Sequence, residues 1–455
     1  MKSGYHPEVR SGELIRTWPF FFTVRFFILF GIVSALLIPL YLFRPSGLLL
    51  PLGVDILLVL VAGLDYLMKP SPEAIRIERP LPYPLAVDRS NDIFLEIANM
   101  SGAPASLIIK DDFPPQCPQQ LPPIRSVVRP GSGTRLKYRL TPQERGDGEF
   151  GNIHFWIKGR LGLVWKRGVS QASCTAKLYP GLALIEQRRL GVRHPSAEDP
   201  RRAVRRTGEG YEFESLREYA VGDDSRMIHW RTSARKGRLI LRQNRLERSQ
   251  NVFLVLDAGR MMTARVSGKT KLDHSLDAAL LLAYSALELG DKVGVMVVGR
   301  EVQVFLPPAK TPGHFGRILD ATYAQAPRME EPRFYRALST VSTKLKRRSL
   351  IVIFTDLIDE RASEGLMRYS LGMLPRHLPV VVALSDTEAA AVADGISENK
   401  RDLYRRGVAA EMLDRRERLL ARLASVGILV IDSPPDRVAA DVVDRYLDIK
   451  RRQRL

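Results

Sequence analysis

Three hydrophobic patterns follow one another along the chain. The first is unbroken: residues 26–43 read FFILFGIVSALLIPLYLF without a charge, and after RPSG residues 48–68 read LLLPLGVDILLVLVAGLDYLM. Each is near the roughly 20 residues that cross a bilayer as a helix. Two in tandem about a tight Pro-Gly turn predict an N-terminal transmembrane helical hairpin within 1–70. A cleaved signal is not expected, because no small-residue cleavage site follows the first stretch and the second comes at once. Folding about Arg44 and Pro45 brings Asp65 to the depth of Arg25, so the two are expected to pair near an interface. Asp55 falls nearer the opposite leaflet. Two helices enclose no pore, so an interfacial place or an oligomer contact suits it better than an ion pathway.

The second pattern, over 71–180, has a period of two. Alternating segments at 93–97, 105–109, 136–140 and 153–157 are separated by Pro, Gly, Asn and Ser, which predicts an antiparallel β-sandwich. Gly146 and Gly148 read as turn residues, and Arg145-Gly146-Asp147 is too short a signal to imply adhesion. The third pattern, over 248–455, is α/β. VFLVLDA (252–258) is an apolar run ending in an acid, as in a strand buried in a parallel sheet. A helix is predicted over 272–289 and strands over 292–298 and 302–306, joined as a hairpin at Gly299 and Arg300. More strands follow at 349–355, 380–384 and 428–431, with basic amphipathic helices at the end.

Between these regions lie two unusual segments. Residues 181–211 form an arginine-rich connector: Arg188, Arg189, Arg193, Arg201, Arg202, Arg205 and Arg206 face only Glu186, Glu198, Asp199 and Glu209. Such a run reads first as a solvated linker and next as a strip against anionic lipid headgroups. Nucleic acid comes last, for want of interleaved aromatics. In 212–247, acids, arginines and large aromatics alternate. A helix is expected over 226–235, capped by Asp223, Asp224 or Ser225, with Gly237 in the αL position that closes it; a strand follows at 238–242. Helical spacing puts Arg226 with Trp230, and Met227 with Trp230, Arg231 and Ala234. A guanidinium there could stack on the indole while forking a carboxylate. This reads either as buried ion pairs joining two domains or as a recognition surface for a partner protein.

A chain of 455 residues with 45% hydrophobic content has room for two or three domains with real cores. Its net charge of +19 and pI near 10.0 call for an anionic neighbour. Lys2, Arg10, Arg16 and Arg25 precede the hairpin and Lys69, Arg76 and Arg79 follow it, against Arg44 in the turn. The positive-inside rule then predicts an inner (cytoplasmic) membrane protein with both termini and the soluble domains in the cytoplasm. Two cysteines, Cys117 and Cys174, with no CxxC or zinc spacing, read as reduced core residues. No P-loop, GxGxxG, GxSxG or HExxH pattern occurs, and the seven histidines are scattered, so no enzyme is nominated.

The pattern EFxxLREYxxGDDxRxIxWxxxARxGxLxxR resembles the signature of the domain of unknown function 58 family of bacterial proteins. It is carried by Glu212, Phe213, Leu216, Arg217, Glu218, Tyr219, Gly222, Asp223, Asp224, Arg226, Ile228, Trp230, Ala234 and Arg235, with His229 where an acid is expected. The resemblance continues in TPQERGDGEFG (141–151) and GRLGLVWKR (159–167). It implies a membrane hairpin, a β-rich region, the signature and a von Willebrand factor type A-like domain, to which strands with one hairpin among crossover helices are also similar. In the type A family the first strand ends in Asp-x-Ser-x-Ser, which holds magnesium with a loop threonine and a second aspartate. Here the matching positions read Asp257, Gly259 and Met261, with Asp356 as the second aspartate. No cofactor is therefore expected beyond possible weak Mg²⁺, and hydrogen bonds from loop amides to Asp257 and Asp356 are favoured over metal. The resemblance further implies an adaptor working beside a MoxR-type AAA+ ATPase in protein complex assembly or maturation. Arg217, Arg226, Arg231 and Arg235 are the signature's candidate contacts. The rival is a magnesium-dependent hydrolase using Asp257 and Asp356.

Overall fold

Residue-by-residue alternation governs the first of the two units into which the chain divides, Met1–Tyr179 and Pro180–Leu455. A computed structural model describes residues 20–43, 49–82, 84–159, 161–189, 212–219, 228–245, 249–356, 360–395 and 399–452. In the first unit a short strand, β1 (Phe20–Phe22), leads into helices α1 (Val24–Phe43) and α2 (Leu49–Leu67). Strands β2 (Ile75–Glu78), β3 (Leu85–Ala86), β4 (Asn91–Asn99), β5 (Ala105–Asp111) and β6 (Ile124–Val128) follow. Then come β7 (Gly133–Leu140), β8 (Gly146–Phe150), β9 (Ile153–Lys158), β10 (Val164–Ser170) and β11 (Cys174–Tyr179).

These strands form sheets β1-β10-β9-β5-β6, β2-β4-β7 and β3-β11-β8. In β4 every second residue from Asn91 to Asn99 is buried, as the pleat requires. Ile77, Ile93, Leu95, Leu107, Phe155, Ile157 and Leu178 meet in one core; the pairing is antiparallel, as expected, except that β3 and β11 run parallel. Gly148 departs from the sequence reading. It lies inside β8, paired with Ala176, where a Cβ would press on Leu178 and Pro114 at 3.1 Å. Gly146 opens the same strand at φ 119, so neither glycine simply makes a turn. Arg79 is likewise no free flanking charge. It is buried, ion-paired to Asp111, and donates to the carbonyl of Gly151 at 3.0 Å. Burial pushes the Asp111 carboxyl up, and Arg79 and Tyr138 oppose that shift. Cys117 and Cys174 are free thiols, and burial raises the Cys117 thiol to about 11.

At the foot of the helical hairpin Asp65 is buried, but Lys69, four residues on, is its ion-pair partner at 3.6 Å rather than Arg25. The Asp65 carboxylate is spent on the turn between β9 and β10. Its Oδ1 accepts from the Leu161 amide at 3.1 Å, and Oδ2 from those of Leu163 and Val164 at 3.1 and 3.4 Å. Thr23 Oγ1 donates to the Gly162 carbonyl at 2.7 Å and also accepts from the Phe26 amide at 3.2 Å. Above this foot Phe27, Ile28, Leu29, Leu57, Leu60 and Leu64 are exposed. Side chains are described for 24–35 of α1 and 53–67 of α2; among the described residues no helix is long and apolar enough to cross a membrane.

The second unit begins with α3 (Leu182–Arg189); the rest of the arginine connector, 190–211, lies outside the described residues. Next come β12 (Glu212–Glu218), α4 (Trp230–Lys236), β13 (Ile240–Arg245), β14 (Asn251–Asp257), β15 (Arg265–Val266) and β16 (Lys269–Thr270). They are followed by α5 (Lys271–Glu288), β17 (Lys292–Val298), β18 (Val302–Ala309), α6 (His314–Thr322), α7 (Phe334–Lys344) and β19 (Ser349–Phe354). The last elements are α8 (Glu360–Met373), β20 (Leu378–Leu384), α9 (Thr387–Asp394), α10 (Lys400–Ser425), β21 (Leu429–Ser433) and α11 (Val438–Arg451).

The main sheet runs β18-β17-β14-β19-β20-β21, parallel except for the antiparallel β17-β18 hairpin. This is the type A-like arrangement the sequence implies. β14 and β19 are almost wholly buried, which is why their sequences lack alternation. Edge strand β18 outruns its expected end at 306 and takes in Pro307 and Pro308. An edge position tolerates the missing donors.

Candidate functional site

Because β14 and β19 are parallel neighbours, their carboxyl ends bring Asp257 and Asp356 to one end of the sheet, where open α/β sheets bind ligands. Asp257 is buried. Its Oδ1 accepts from the Gly259 amide and its Oδ2 from Thr355 Oγ1, each at 2.7 Å. Burial is the largest influence on this carboxyl and pushes it up to about 6, against the two hydrogen bonds. So Asp257 does meet a loop amide, as expected.

Asp356 does not follow the same expectation. Its Oδ2 receives the Lys271 ammonium at 2.6 Å. Lys271 is the first residue of α5 and is buried there. It is held in place by a capping box in which Thr270 Oγ1 accepts from the Asp273 amide and Asp273 accepts from the Thr270 amide. The same ammonium lies 3.6 Å from Asp386, which caps α9. Arg416 of α10 approaches from another side. It forks Asp432 at 2.8 and 2.7 Å and brings its Nε to 3.9 Å from Asp356 Oδ1. Asp356 is thus faced by cations of the chain itself, whereas Asp257 is met by an amide and a hydroxyl.

A serine in place of Gly259, as the magnesium pattern requires, meets a steric obstacle. A Cβ there would lie 2.6 Å from Pro332 Cδ and 3.0 Å from the Glu330 carbonyl oxygen. The loop is packed against the bare glycine. Among the described residues no group of three or more His, Cys, Asp or Glu could hold a metal ion. Sequence reasoning missed Lys271 and Arg416, since a lone cation beside many others carries no signal of burial. Elsewhere in this unit a cleft of about 450 Å³ is lined by Glu301, Val302, Tyr335, Arg336, Ser339 and Thr340. Glu301 and Arg336 are already paired there at 2.6 Å.

The signature segment folds as a two-stranded sheet with a short helix. β12 and β13 pair antiparallel, Leu216 opposite Arg242 and Glu218 opposite Ile240, with an irregularity between Phe213 and Ser215. The helix is shorter than expected. It starts at Trp230 rather than 226, and its cap is His229, whose Nδ1 accepts from the Thr232 amide at 3.3 Å. Gly237 closes it at φ 64, as predicted. Ser233 ties helix to strand: its hydroxyl accepts from the Ile240 amide at 2.9 Å and donates to the His229 carbonyl at 3.1 Å. The strand expected at 238–242 runs instead from Ile240 to Arg245.

Trp230 is 67% exposed, and Arg231, Ala234 and Arg235 are exposed as well. These residues are not buried in ion pairs. Glu218 is salt-bridged to Arg238, both exposed, and the Tyr219 amide donates to the Leu239 carbonyl at 3.0 Å. Gly222, Asp223, Asp224 and Arg226 lie outside the described residues, as do the side chains of Glu212, Phe213, Leu216 and Arg217.

Comparison with known proteins agrees with the resemblance read from the signature. Residues 215–398 match the family described as protein of unknown function DUF58. The uncharacterized protein YeaD of Bacillus subtilis (strain 168) is 23% identical over 248 residues, covering 54% of this chain and 56% of that protein. The chain thus spans about half the length of this curated relative. Among solved structures, the SpRpn10 VWA domain is 14% identical at a TM-score of 0.29, covering 43% of this chain and 95% of that one. The conserved hypothetical protein BatB from Bacteroides thetaiotaomicron is 11% identical at a TM-score of 0.30, covering 45% and 100%.

Proposed function

We propose that this chain, which carries a DUF58 region over residues 215–398, is a membrane-anchored interaction protein whose type A-like domain serves a protein partner without a metal ion. The observation that carries this reading is the Lys271 ammonium 2.6 Å from Asp356. Magnesium draws on about six oxygens in near-octahedral array. Here one oxygen of Asp356 is taken by a lysine, and Asp257 spends both oxygens on Gly259 and Thr355. A hydrolase built on the same pair would have to displace the Lys271 ammonium and the Gly259 and Thr355 hydrogen bonds, since only Asp356 Oδ1 has no hydrogen-bond partner.

Anchoring is supported by the two apolar segments, helical over Val24–Phe43 and Leu49–Leu67, and by large apolar side chains facing outward from them. Flanking lysines and arginines favour a cytoplasmic head. A MoxR-type AAA+ ATPase is the partner implied by the family resemblance, and an acidic surface on it would suit a chain of net charge +19. The exposed Trp230, Arg231 and Arg235 are the side chains offered to it, since exposed aromatics and arginines are the usual anchors of binding energy.

Affinity purification of the tagged full-length chain from native membranes tests this. Wild type should retain an ATPase, and a Trp230→Ala, Arg231→Ala, Arg235→Ala variant should lose it. Recovery of no protein partner by either would count against the adaptor role.

A further inference from the structure

In the sheet β1-β10-β9-β5-β6, Leu107, Ile109, Phe155 and Ile157 face the core of the first unit. The pleat therefore turns Ser106, Ile108 and Lys110 of β5, and His154, Trp156 and Lys158 of β9, to the other side. The pairing register carries that outer face across the sheet. One row reads Phe21, Trp165, Lys158, Ser106 and Val127, and the next reads Arg167, Trp156, Ile108 and Arg125. Directly opposed side chains start about 5 Å apart. Each tryptophan thus stands beside a cation, Trp165 by Lys158 and Trp156 by Arg167.

Acids are missing from this face. The five strands contain only Asp111, which is buried with Arg79 on the core side. Just beyond β5, Asp112 is taken up by His154 at 3.0 Å. Among the described residues Lys110, Arg125 and Lys158 have no ion-pair partner. Phe21 and Val127 are 48% and 67% exposed, Lys110 and Arg125 are exposed, and Trp156, Trp165 and Ile108 are half-buried. A face that only met water would have no use for Phe21, Ile108 and Val127. Nucleic acid bases would stack on the tryptophans and leave the aliphatic side chains idle. A lipid surface uses all three kinds: indoles settle at the headgroup level, and each nearby lysine or arginine adds attraction to anionic lipid. The face is also continuous with the apolar hairpin, since Phe21, paired with Trp165, stands three residues before the start of α1 at Val24.

We propose that the outer face of this sheet, through Trp156, Trp165, Lys110, Arg125, Lys158 and Arg167, docks on the anionic phospholipid surface beside the hairpin. This docking rests on the membrane-anchored reading above and adds a second, charge-dependent contact to it.

The test uses the full-length chain, whose four tryptophans are reduced to Trp156 alone by Trp18→Phe, Trp165→Phe and Trp230→Phe. Nanodiscs carry phosphatidylglycerol or phosphatidylcholine brominated near the ester end of the acyl chain. Trp156 emission should be quenched by the brominated phosphatidylglycerol in preference to the phosphatidylcholine. Lys110→Gln, Arg125→Gln, Lys158→Gln together should abolish that preference. The charge-preserving Lys110→Arg, Arg125→Lys, Lys158→Arg variant should keep it, which separates loss of charge from loss of fold. A Phe30→Trp reporter on α1, in a chain with all four tryptophans replaced by phenylalanine, reads the hairpin separately. Quenching of that reporter without quenching of Trp156 would overturn the docked face and leave the anchoring standing, and quenching of neither would overturn both. Equal quenching by the two lipids, unmoved by the glutamine variant, would refute recognition of charge. Relief of the lipid quenching by an added single-stranded oligonucleotide would make the face a nucleic acid site and refute the lipid assignment.

Discussion

Lys271 and Asp356 meet at 2.6 Å with side chains 2% and 0% exposed. Neither charge has water to fall back on, and each is the other's nearest counter-ion, ahead of Asp386 for Lys271 and Arg416 for Asp356. Removing one member of such a buried pair strands its partner and typically costs about 3–5 kcal/mol. Lys271→Ala should therefore lower the stability of the type A-like domain by about that amount, measured by denaturant unfolding. Adding Asp356→Asn should recover part of the loss. A Lys271→Ala change within about 0.5 kcal/mol of wild type would mean that the pair does not support the fold.

The same lysine makes a prediction about metal. Calorimetric titration of wild type with Mg²⁺ or Mn²⁺ should show no binding in the micromolar range. Micromolar binding that disappears in Asp257→Ala would favour the hydrolase over the adaptor.

Asp257 gives a pH signature of known sign. Burial raises its carboxyl to about 6 in the folded protein, above the value of about 4 expected when unfolded. Its contribution to stability is therefore complete below about pH 4 and lost as pH rises through about 6. Asp257→Asn removes this dependence and can keep both hydrogen bonds. Relative to wild type, the variant should gain about 2–3 kcal/mol between pH 4 and pH 7, read from denaturation midpoints across that range. A pH-independent difference would place the titration elsewhere.

Gly159 offers a test of the hairpin foot. A Cβ there would collide with the Asp65 carboxylate and the Lys69 stem. Gly159→Ala should cost about 1–3 kcal/mol, as overpacking does, and should lower the melting temperature of the detergent-solubilised protein. Asp65→Ala should be worse, because it leaves three amides without their acceptor and a buried lysine without its counter-ion. If both variants melt with wild type, the foot is not a structural clamp.

Trp230 is the matching test of the exposed signature. Trp230→Ala should leave stability within about 0.5 kcal/mol of wild type. Partner affinity should fall by about 2 kcal/mol or more if the indole is an anchor. Surface-immobilised binding alongside thermal unfolding separates the two effects.

The sheets were readable where burial is uniform or strictly alternating. β14, β19 and β20 are apolar nearly throughout, and β4 alternates without a fault. β12 was missed because its alternation is broken by the irregularity between Phe213 and Ser215. The start of α4 was misplaced because Asp223, Asp224 and Ser225 are stronger cap formers than His229, yet His229 caps it. Asp257 and Asp356 were found because strand ends are predictable. The partners of Asp356 were not, since Lys271 and Arg416 lie 85 and 60 positions away and only the closed sheet brings them together. The Arg25–Asp65 expectation failed for a related reason: depth in a hairpin can be counted, but competition from the amides of residues 161–164 cannot.

Strand β1 ends at Phe22, and Thr23 caps α1 with no residue to spare, while Asp65 and Lys69 bolt the far end of the hairpin to the same β-turn. Such an attachment has no slack. A pull on the sandwich would reach the two helices as a lever arm and tilt them, where a flexible tether would simply have stretched.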